Sequence, residues 1–334
     1  MGNLVKLDNL DRKLLYYLDV NARMSNLQIA KKLRTSREVV DYRSKRLVKK
    51  GVIQRFFTHI QAQKLGYTVY KLYFKIKGLD ENKEKEMIGY LVRHKNIYRV
   101  ARCEGIYDFF ISITSKDVYK LHEMLQDFYH KYDSNLLTKD VTISVAIYRS
   151  RNEYIIGKGK HEIEPLLYGG EKGNMVLDEK DTEILKILAN NARIPIIKIA
   201  KKLGITSGAV MYRMKELAKA KIISAYRCSI DLEKIGYLYV RVFLSLHFND
   251  RQKERELYQF CRQHANITLF LYCIGHWDFE VEFEIESSAA FQNLLREIKT
   301  RFSDIIKECE WVIISKEHKF DHFPECYPTN PEFF

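Results

Sequence analysis

The sequence lacks the features of two large classes of protein, those that span membranes and those that disulfides hold together. No apolar run approaches the length of a membrane span, and the first ten residues, MGNLVKLDNL, lack the apolar core of a signal peptide. The six cysteines form no C-x-x-C pair, and a chain of 334 residues does not need disulfides for stability. We therefore expect a cytoplasmic protein with no membrane partner and with reduced cysteines.

Sequence signatures of common enzymes and cofactor sites are also missing. There is no G-x-S-x-G turn, no Walker phosphate loop and no H-E-x-x-H zinc motif. His318, His322 and Cys326 recur at four-residue steps, but no fourth metal ligand is visible beside them. These absences predict a protein that is not an enzyme and that holds no metal and no cofactor.

Positive charge is concentrated in two parts of the chain. Residues 1–60 contain 14 Lys and Arg against five Asp and Glu, and residues 171–230 contain 12 against six. Residues 231–334 are acidic, with 12 against 18. Concentrated positive charge indicates a polyanion partner, and the alternative is a solvated basic surface that keeps the protein soluble.

The two basic segments are copies of one unit. When residue i is aligned with residue i+170, 24 of the 61 positions from residue 7 to residue 67 are identical without a gap. The offset continues further along, where CEGIYDFF from Cys103 aligns with CIGHWDFE from Cys273. Duplication and fusion of a unit of roughly 150 residues explains the pattern.

Each copy begins with three predicted helices. In copy one, Asp8 caps a first helix, and Ser25 with Gln28 forms a capping-box pattern for a second. After a three-residue turn, a third helix covers residues 36–50, and residues 53–60 are typical of a wing strand.

The rest of each copy alternates apolar and polar residues in an order that predicts a ferredoxin-like βαββαβ unit. The expected fold class is α+β, with a glycine-containing linker between the copies. The predicted segments are winged helix-turn-helix 1–62, βαββαβ 63–152, linker 153–174, winged helix-turn-helix 175–232, βαββαβ 233–320 and tail 321–334.

This plan resembles the Lrp/AsnC, or feast/famine, family of transcriptional regulators. The family's opening is similar to LDNLDRKLLYYLDVNARMSNLQIAKKL, and its recognition helix is similar to YRSKRLVKKGVI. Its effector-domain turn is similar to GIYDFF and to GHWDFE. The resemblance covers nearly the whole chain, twice. It implies a DNA-binding regulator whose βαββαβ units are RAM-type domains that dimerise and bind an amino acid or another small metabolite.

The chain departs from that family in three ways. Arg34 stands where copy two has the turn glycine Gly204, and Lys221 stands where copy one has Gly51. An ordinary member is a single copy that dimerises, whereas this chain carries both halves. Siroheme decarboxylases have a similar plan in paired subunits, so a haem-biosynthesis enzyme of that kind is the alternative function.

Recognition helices read base edges, while neighbouring residues hold phosphates. Because the two third helices differ in chemistry, we expect an asymmetric or degenerate DNA site; the alternative for each side chain is a solvated helix face. The predicted contacts to double-stranded DNA are Lys31, Lys32, Ser36, Arg37, Glu38, Asp41, Tyr42 and Lys45 in copy one, and Lys201, Lys202, Thr206, Ser207, Met211, Tyr212 and Lys215 in copy two.

The resemblance also implies an effector-pocket rim at one turn of each βαββαβ unit. The alternative is a tight strand connection, in which glycine supplies a positive φ and aspartate satisfies nearby amides. The residues concerned are Gly105, Tyr107 and Asp108 in copy one, and Gly275, Trp277 and Asp278 in copy two.

Opposite charges on the two sheets favour a pairing of copy one with copy two, which predicts an internal pseudo-dimer capable of further association. The alternative is that both charged faces are solvated. The stripes concerned are Lys71, Lys75 and Lys77 in copy one and Glu280, Glu282, Glu284 and Glu286 in copy two.

Overall fold

The computed structural model describes residues 4–158, 164–247 and 250–323 and contains both copies in full outline. Copy one contains α1 (Asn9–Val20), α2 (Asn26–Leu33), α3 (Arg37–Lys49), β1 (Ile53–Ile60), β2 (Thr68–Ile76), α4 (Glu81–Arg93), β3 (Ile97–Gly105), β4 (Phe109–Ser115), α5 (Val118–Tyr132) and β5 (Leu136–Arg149). After β6 (Leu166–Gly169), copy two contains α6 (Glu179–Asn190), α7 (Ile196–Leu203), α8 (Ser207–Lys219), β7 (Ile223–Ile230), β8 (Leu238–Leu246), α9 (Arg251–Gln263), β9 (Ile267–Ile274), β10 (Phe279–Ile285), α10 (Ser288–Arg301) and β11 (Ile306–Phe320). The α+β prediction of two winged helix-turn-helix heads, each followed by a βαββαβ unit, is confirmed.

Capping contacts set the starts of the first two helices, as the sequence predicts. Asp8 and Asp11 form a capping box at α1, and Ser25 and Gln28 form one at α2. These reciprocal contacts satisfy backbone N–H groups that a helix start otherwise leaves unpaired.

The two heads complete each other's hydrophobic cores. The wing strand β1 of copy one pairs antiparallel with β7 of copy two. The core of head one, which includes Leu14, Leu18 and Val40, also contains Cys228 from β7. Head two buries Ile60 from β1 in the same way. The heads therefore form one unit, since each core includes a strand of the other copy.

The two βαββαβ units join into one closed ring of strands. Within each unit the strand order is ferredoxin-like, with β2 between β4 and β5 in copy one and β8 between β10 and β11 in copy two. The edge strands then pair across the copies, β3 with β11 and β5 with β9, all antiparallel. The ring order β2-β4-β3-β11-β8-β10-β9-β5 closes because β5 also pairs with β2.

The helices of each unit pack on the outside of this ring. Leu72 and Phe74 of β2 pack with α4 and α5 in copy one, and Val242 and Phe283 pack with α9 and α10 in copy two. The segment predicted as a linker is partly ordered. Its residues 153–156 form a short 3₁₀ helix against α1, and β6 extends the sheet beside β5.

Two residues that replace glycines have left-handed backbones. Arg34, the C-cap of α2, has φ 53°, and its counterpart Gly204 has φ 63°. Lys221, which replaces a glycine of copy one, has φ 58°. The turns therefore have the same geometry in both copies. The substitutions introduce backbone strain but do not change the fold.

We expect Gly204→Arg to lower the free energy of unfolding by about 1 kcal/mol, the cost of a left-handed residue with a side chain. A Cβ at Gly204 meets no atom within 4 Å, so the loss should come from the backbone alone. The matched exchange, Arg34→Gly, should raise stability by up to about 1 kcal/mol, less the entropy that glycine adds to the unfolded chain. Urea denaturation measures both, and changes of the same sign in the two variants would contradict the strain argument.

Candidate nucleic-acid interface and ring interior

The side chains predicted to contact DNA lie on the ends of α2 and α7 and on the outer sides of α3 and α8. Asp41 and Ser207 are half-buried. The exposed ones are Lys31, Lys32, Ser36, Arg37, Glu38, Tyr42 and Lys45 in copy one, and Lys201, Lys202, Thr206, Met211, Tyr212 and Lys215 in copy two. The structure thus brings them together on the surface of each head.

Several of these residues also have contacts inside the protein. Ser36 Oγ and Thr206 Oγ1 accept hydrogen bonds of 3.3 and 3.1 Å from backbone N–H groups three residues on, so each caps its recognition helix. Asp41 accepts a hydrogen bond from Asn26 Nδ2 at 3.3 Å and lies 2.6 Å from Lys45 Nζ. These contacts order the helix starts and hold the Asp41 carboxylate in place.

Arg43, on the inner side of α3, fixes that helix to α1. Its Nη1 lies 2.6 Å from the carboxylate of Asp8 and 2.8 Å from that of Asp11. Burial opposes ionisation of Asp8, but hydrogen bonds from the Asp11 N–H and from Arg43 outweigh it and lower the pKa of Asp8. Arg213 makes the equivalent two contacts in copy two.

Two arginines of the repeated sequence, neither of them among the predicted site residues, connect the heads. Arg23 Nη1 donates to the carbonyl of Ala192 at 2.6 Å, and Arg193 Nη1 donates to the carbonyl of Ala22 at 2.6 Å. Arg193 also donates to Asn26, which in turn contacts the recognition helix of copy one. The motif Asn-Ala-Arg is identical in both copies, and that identity was the available signal.

The first predicted effector turn ties strands together. Gly105 has φ 135°, and a Cβ there would lie 2.8 Å from a backbone oxygen of β11. Asp108 Oδ2 accepts a hydrogen bond from the backbone N–H of Ile76 at 2.8 Å. Tyr107 is buried and donates to Asp140 at 2.7 Å, and burial followed by that contact raises the pKa of Tyr107.

The second turn repeats these contacts in copy two. Gly275 has φ 154°, and Asp278 Oδ2 accepts from the N–H of Leu246 at 2.7 Å. The buried indole of Trp277 packs against Phe243 inside the closed ring of strands. The contacts of both aspartates are those of a tight strand connection, and His276 is the exposed side chain at this turn.

Charged side chains are buried inside the ring where the two copies face each other. Lys71 of copy one pairs with Glu280 of copy two. Arg241, which is fully buried, pairs with Glu282 and donates to Tyr73 Oη at 2.7 Å. Burial opposes ionisation of Glu280, but Lys71 and Arg241 outweigh it and lower the pKa of Glu280.

A second group of contacts extends this network toward the heads. Arg149 Nη1 lies 2.7 Å from Glu282, and its Nη2 lies 2.8 Å from Glu284. Tyr154 donates to Glu284, and Arg99 lies 3.9 Å from Glu282. The carboxylates of copy two are thus paired mainly with cations on copy one.

The predicted charge stripes therefore meet only in part. Lys71 is buried against a glutamate, but Lys75 is half-buried and Lys77 is exposed. Glu286 is exposed beyond the end of β10. The alternation identified the faces correctly, but it could not show that both stripes leave the ring at its ends or that Arg149, Arg99 and Arg241 supply positive charge beside Lys71.

The His318, His322 and Cys326 series does not form a site in the described part of the chain. The His322 ring stacks on Phe57 with 3.9 Å between ring centroids. Cys326 lies outside the described residues. Within residues 4–158, 164–247 and 250–323 there is no cluster of three metal-ligating side chains, and no helix there is long and apolar enough to cross a membrane.

Comparison with known families identifies the heads. A family model described as winged helix-turn-helix DNA-binding matches residues 7–54 and again residues 177–224. Both matches coincide with the three helices of a head and the start of its wing strand.

Individual regulators are similar to parts of the chain. The HTH-type transcriptional regulator LrpA of Pyrococcus horikoshii is 45% identical over 67 residues, which is 20% of this chain and 48% of that protein. An uncharacterised HTH-type transcriptional regulator of Pyrococcus furiosus is 30% identical over 121 residues, 36% of this chain and 80% of that protein. The regulatory protein AsnC of Escherichia coli is 25% identical over 141 residues, 42% and 91% respectively. The chain thus spans about half the length of LrpA and most of the other two.

A solved structure matches the architecture of the whole chain. The siroheme decarboxylase NirDL has a TM-score of 0.62 with 10% sequence identity, over 95% of this chain and 96% of that one. The prediction that the chain is not an enzyme is therefore wrong, because an enzyme has this architecture from end to end. At this identity the likeness shows the fold alone, and missing catalytic motifs exclude only the reaction classes that use them.

Proposed function

The chain belongs to the Lrp/AsnC family of DNA-binding transcriptional regulators, with the family's unit repeated in tandem, and we propose that it reads double-stranded DNA with two unlike recognition helices held in one chain. The observation that carries this proposal is the exposed basic surface of the two heads, whose spacing is set by reciprocal Arg23 and Arg193 contacts. Such contacts hold two readers at a fixed separation, as DNA half-sites require.

In this proposal the lysines at the ends of α2 and α7 bind DNA phosphates. Lys31, Lys32, Lys201 and Lys202 are exposed, identical between copies and beside the recognition helices. A protein that neutralises phosphates releases counterions, so its affinity falls linearly with the logarithm of salt concentration.

The experiment is a titration of labelled duplex DNA by fluorescence anisotropy at several salt concentrations. Replacing all four lysines by alanine should reduce the salt slope by about three to four, close to 0.9 per lost phosphate contact. Lys85→Ala is the matched control, because Lys85 is exposed on a sheet-unit helix and paired with Glu81. No binding at low salt, or an unchanged slope in the fourfold variant, would refute the proposal.

Arg37→Ser should flatten the base preference at one half-site only. Position 37 corresponds to Ser207, so the variant gives copy one the chemistry of copy two at that position. A bidentate arginine–guanine contact discriminates by about 1–3 kcal/mol, which sets the expected loss. Selection of bound sequences from a random pool measures the change, and Ser207→Arg should alter the other half-site. Equal changes at both half-sites would contradict separate readers.

The ring of paired sheets takes the place of a dimer in this proposal. A pair made of two copies of unit two would bury two sets of Glu280, Glu282 and Glu284, whereas unit one has Phe110, Ser112 and Thr114 at those positions. Like charges buried together are strongly unfavourable, so the charges favour pairing of unlike units. Modulation by an amino acid or another small metabolite, bound beside the two glycine turns, completes the proposed regulator.

The whole-chain likeness to siroheme decarboxylase supports a second candidate, an enzyme that acts on an iron tetrapyrrole. The test is the visible absorption spectrum of the full chain after titration with an iron tetrapyrrole. A saturable haem-type band at one ligand per chain would favour this candidate, and an unchanged ligand spectrum would count against it.

A further inference from the structure

An arginine without a counter-ion lies where the heads meet the ring. Arg151 follows β5 and is 9% exposed, and its Nε and Nη1 atoms are buried without a hydrogen-bond partner. Its guanidinium is paired with no carboxylate in the part of the chain that the structure describes. An arginine cannot lose its proton to escape this situation, and an unpaired buried charge is strongly unfavourable. A negatively charged partner would resolve it.

The nearby carboxylates of this junction already have other partners. Glu153 accepts a hydrogen bond from Tyr16 Oη at 3.2 Å. Asp19 of α1 lies 2.6 Å from Arg227 of β7 and accepts a hydrogen bond from the backbone N–H of Asn152 at 3.1 Å. Arg149 is likewise held by two glutamates of the ring. Arg227 and Arg149 are thus ion-paired, whereas Arg151 is not: burial and the charge of Arg227 lower the pKa of Arg151, and the charge of Asp19 opposes them only in part.

An unpaired donor lies at the same junction. Tyr168, on β6, is buried, and its Oη has no hydrogen-bond partner. Its ring stacks on His59 with 3.6 Å between ring centroids. Burial raises the pKa of Tyr168, and the charges of Arg227 and Arg151 act on it in the opposite direction. A phenolic O–H and a guanidinium therefore lack partners in one basic environment.

The equivalent junction in the other half has different chemistry. Alignment of the copies places Asp321 opposite Arg151, Ala189 opposite Asp19 and Phe57 opposite Arg227. There Phe57 stacks on His322, whose Nε2 is buried without a hydrogen-bond partner, but among the described residues of that junction no arginine nitrogen is buried and unpartnered. The fold does not need the basic cluster, because the second junction is built without it.

We propose that the Arg151–Tyr168 junction binds one small oxyanion, a carboxylate or a phosphate group. The guanidinium supplies charge-assisted hydrogen bonds and the phenol supplies a third donor. Strand β6 has four residues, and among the described strands it pairs only with β5, so its displacement would open the site. Asp19 and Arg227 belong to the heads, and an anion here would hold the heads to the ring. This site is separate from the DNA surface and from the two glycine turns.

The test uses the full chain and measures its melting temperature in inorganic phosphate, in malonate and in chloride of equal ionic strength. Phosphate or malonate should raise the melting temperature by about 2–4 °C relative to chloride, as expected for a ligand that binds only the folded state. The anion that gives the larger shift identifies the source as phosphate or carboxylate. Tyr168→Phe loses no folded-state hydrogen bond, so it should keep its stability in chloride and lose most of the shift.

Two further variants separate this site from anion binding by the heads. Arg151→Met should melt higher than the parent chain in chloride, because it removes an unpaired buried charge, and should no longer respond to either anion. Arg55→Met is the matched control at the other junction, where Glu317 and Asp321 lie near the arginine; it should keep the full response. An equal response in parent and Arg151→Met, or no response in the parent, would overturn the proposal. No DNA is present, so the outcome is independent of the proposed regulatory function.

Discussion

Replacement of Arg241 by methionine is expected to lower the free energy of unfolding by about 3–5 kcal/mol at pH 7, the usual effect of removing one partner from a buried ion pair. Arg241 is fully buried, contacts Glu282 and donates to Tyr73. Burial opposes ionisation of Glu282, yet Arg241 and then Arg149 keep the pKa of Glu282 well below its ordinary value. Without Arg241, a carboxylate inside the ring loses its main compensation. Denaturant unfolding followed by tyrosine and tryptophan fluorescence measures the loss.

Two variants make this result specific. Lys85→Met breaks an exposed pair with Glu81 and should cost less than about 0.5 kcal/mol. Arg241→Lys keeps the charge but not the planar fork, and lysine is the residue that copy one has at the equivalent position 71. It should recover part of the loss. A loss of under about 1 kcal/mol in Arg241→Met would show that water reaches the network and screens it.

Acidification from pH 7 to pH 5 is expected to destabilise the chain by up to about 2 kcal/mol through His59. Burial, followed by the charges of Arg227 and Arg149, lowers the pKa of His59 from 6.5 to about 3. In the unfolded chain His59 takes up a proton near pH 6.5, whereas in the folded chain His59 stays neutral until about pH 3. The stability that His59 contributes is therefore fully present above pH 6.5 and is lost as the pH falls toward 3.

The measurement is a series of urea unfolding curves between pH 7 and pH 5. His59→Gln retains a partner for the hydroxyl of Ser224, which lies 2.8 Å from His59 Nδ1, and cannot titrate. The unfolding free energy of this variant should decrease less steeply with falling pH, and the difference in slope should correspond to about one proton fewer taken up on unfolding. Identical slopes in parent and His59→Gln would contradict the assignment, and the half-buried His322, whose pKa burial also lowers, would then be the next residue to replace.

Local structure was predictable because its causes are local. Asp8 and Ser25 cap helices through backbone groups three residues away, so spacing alone reveals them. The alternation from Tyr70 to Ile76 likewise separates the two faces of β2. Because the sequence is repeated, each pattern could be compared between the two copies, and the structure has the same elements in both.

The contacts between the copies were not predictable in the same way. Arg23 bonds to a backbone carbonyl 169 residues away, and a carbonyl leaves no mark in sequence. Arg241 lies on an alternating strand whose buried face is normally apolar, so its partners appear only when the ring closes. Ser36 and Thr206 have side chains suited to DNA contact and to capping alike, and only the hydrogen bonds distinguish these uses. Contacts between residues far apart in sequence depend on which surfaces of the two copies meet, and no local pattern records that.

Closure of the ring within one chain changes how the protein responds to dilution. The pairs β3 with β11 and β5 with β9, which two separate subunits would form by collision, are made here between segments of a single polypeptide. A subunit pair dissociates as its concentration falls, while a tethered pair keeps a constant effective concentration. The two reading helices therefore stay together at any expression level, and a cell with only a few molecules would have as large a fraction of them assembled as a cell with thousands.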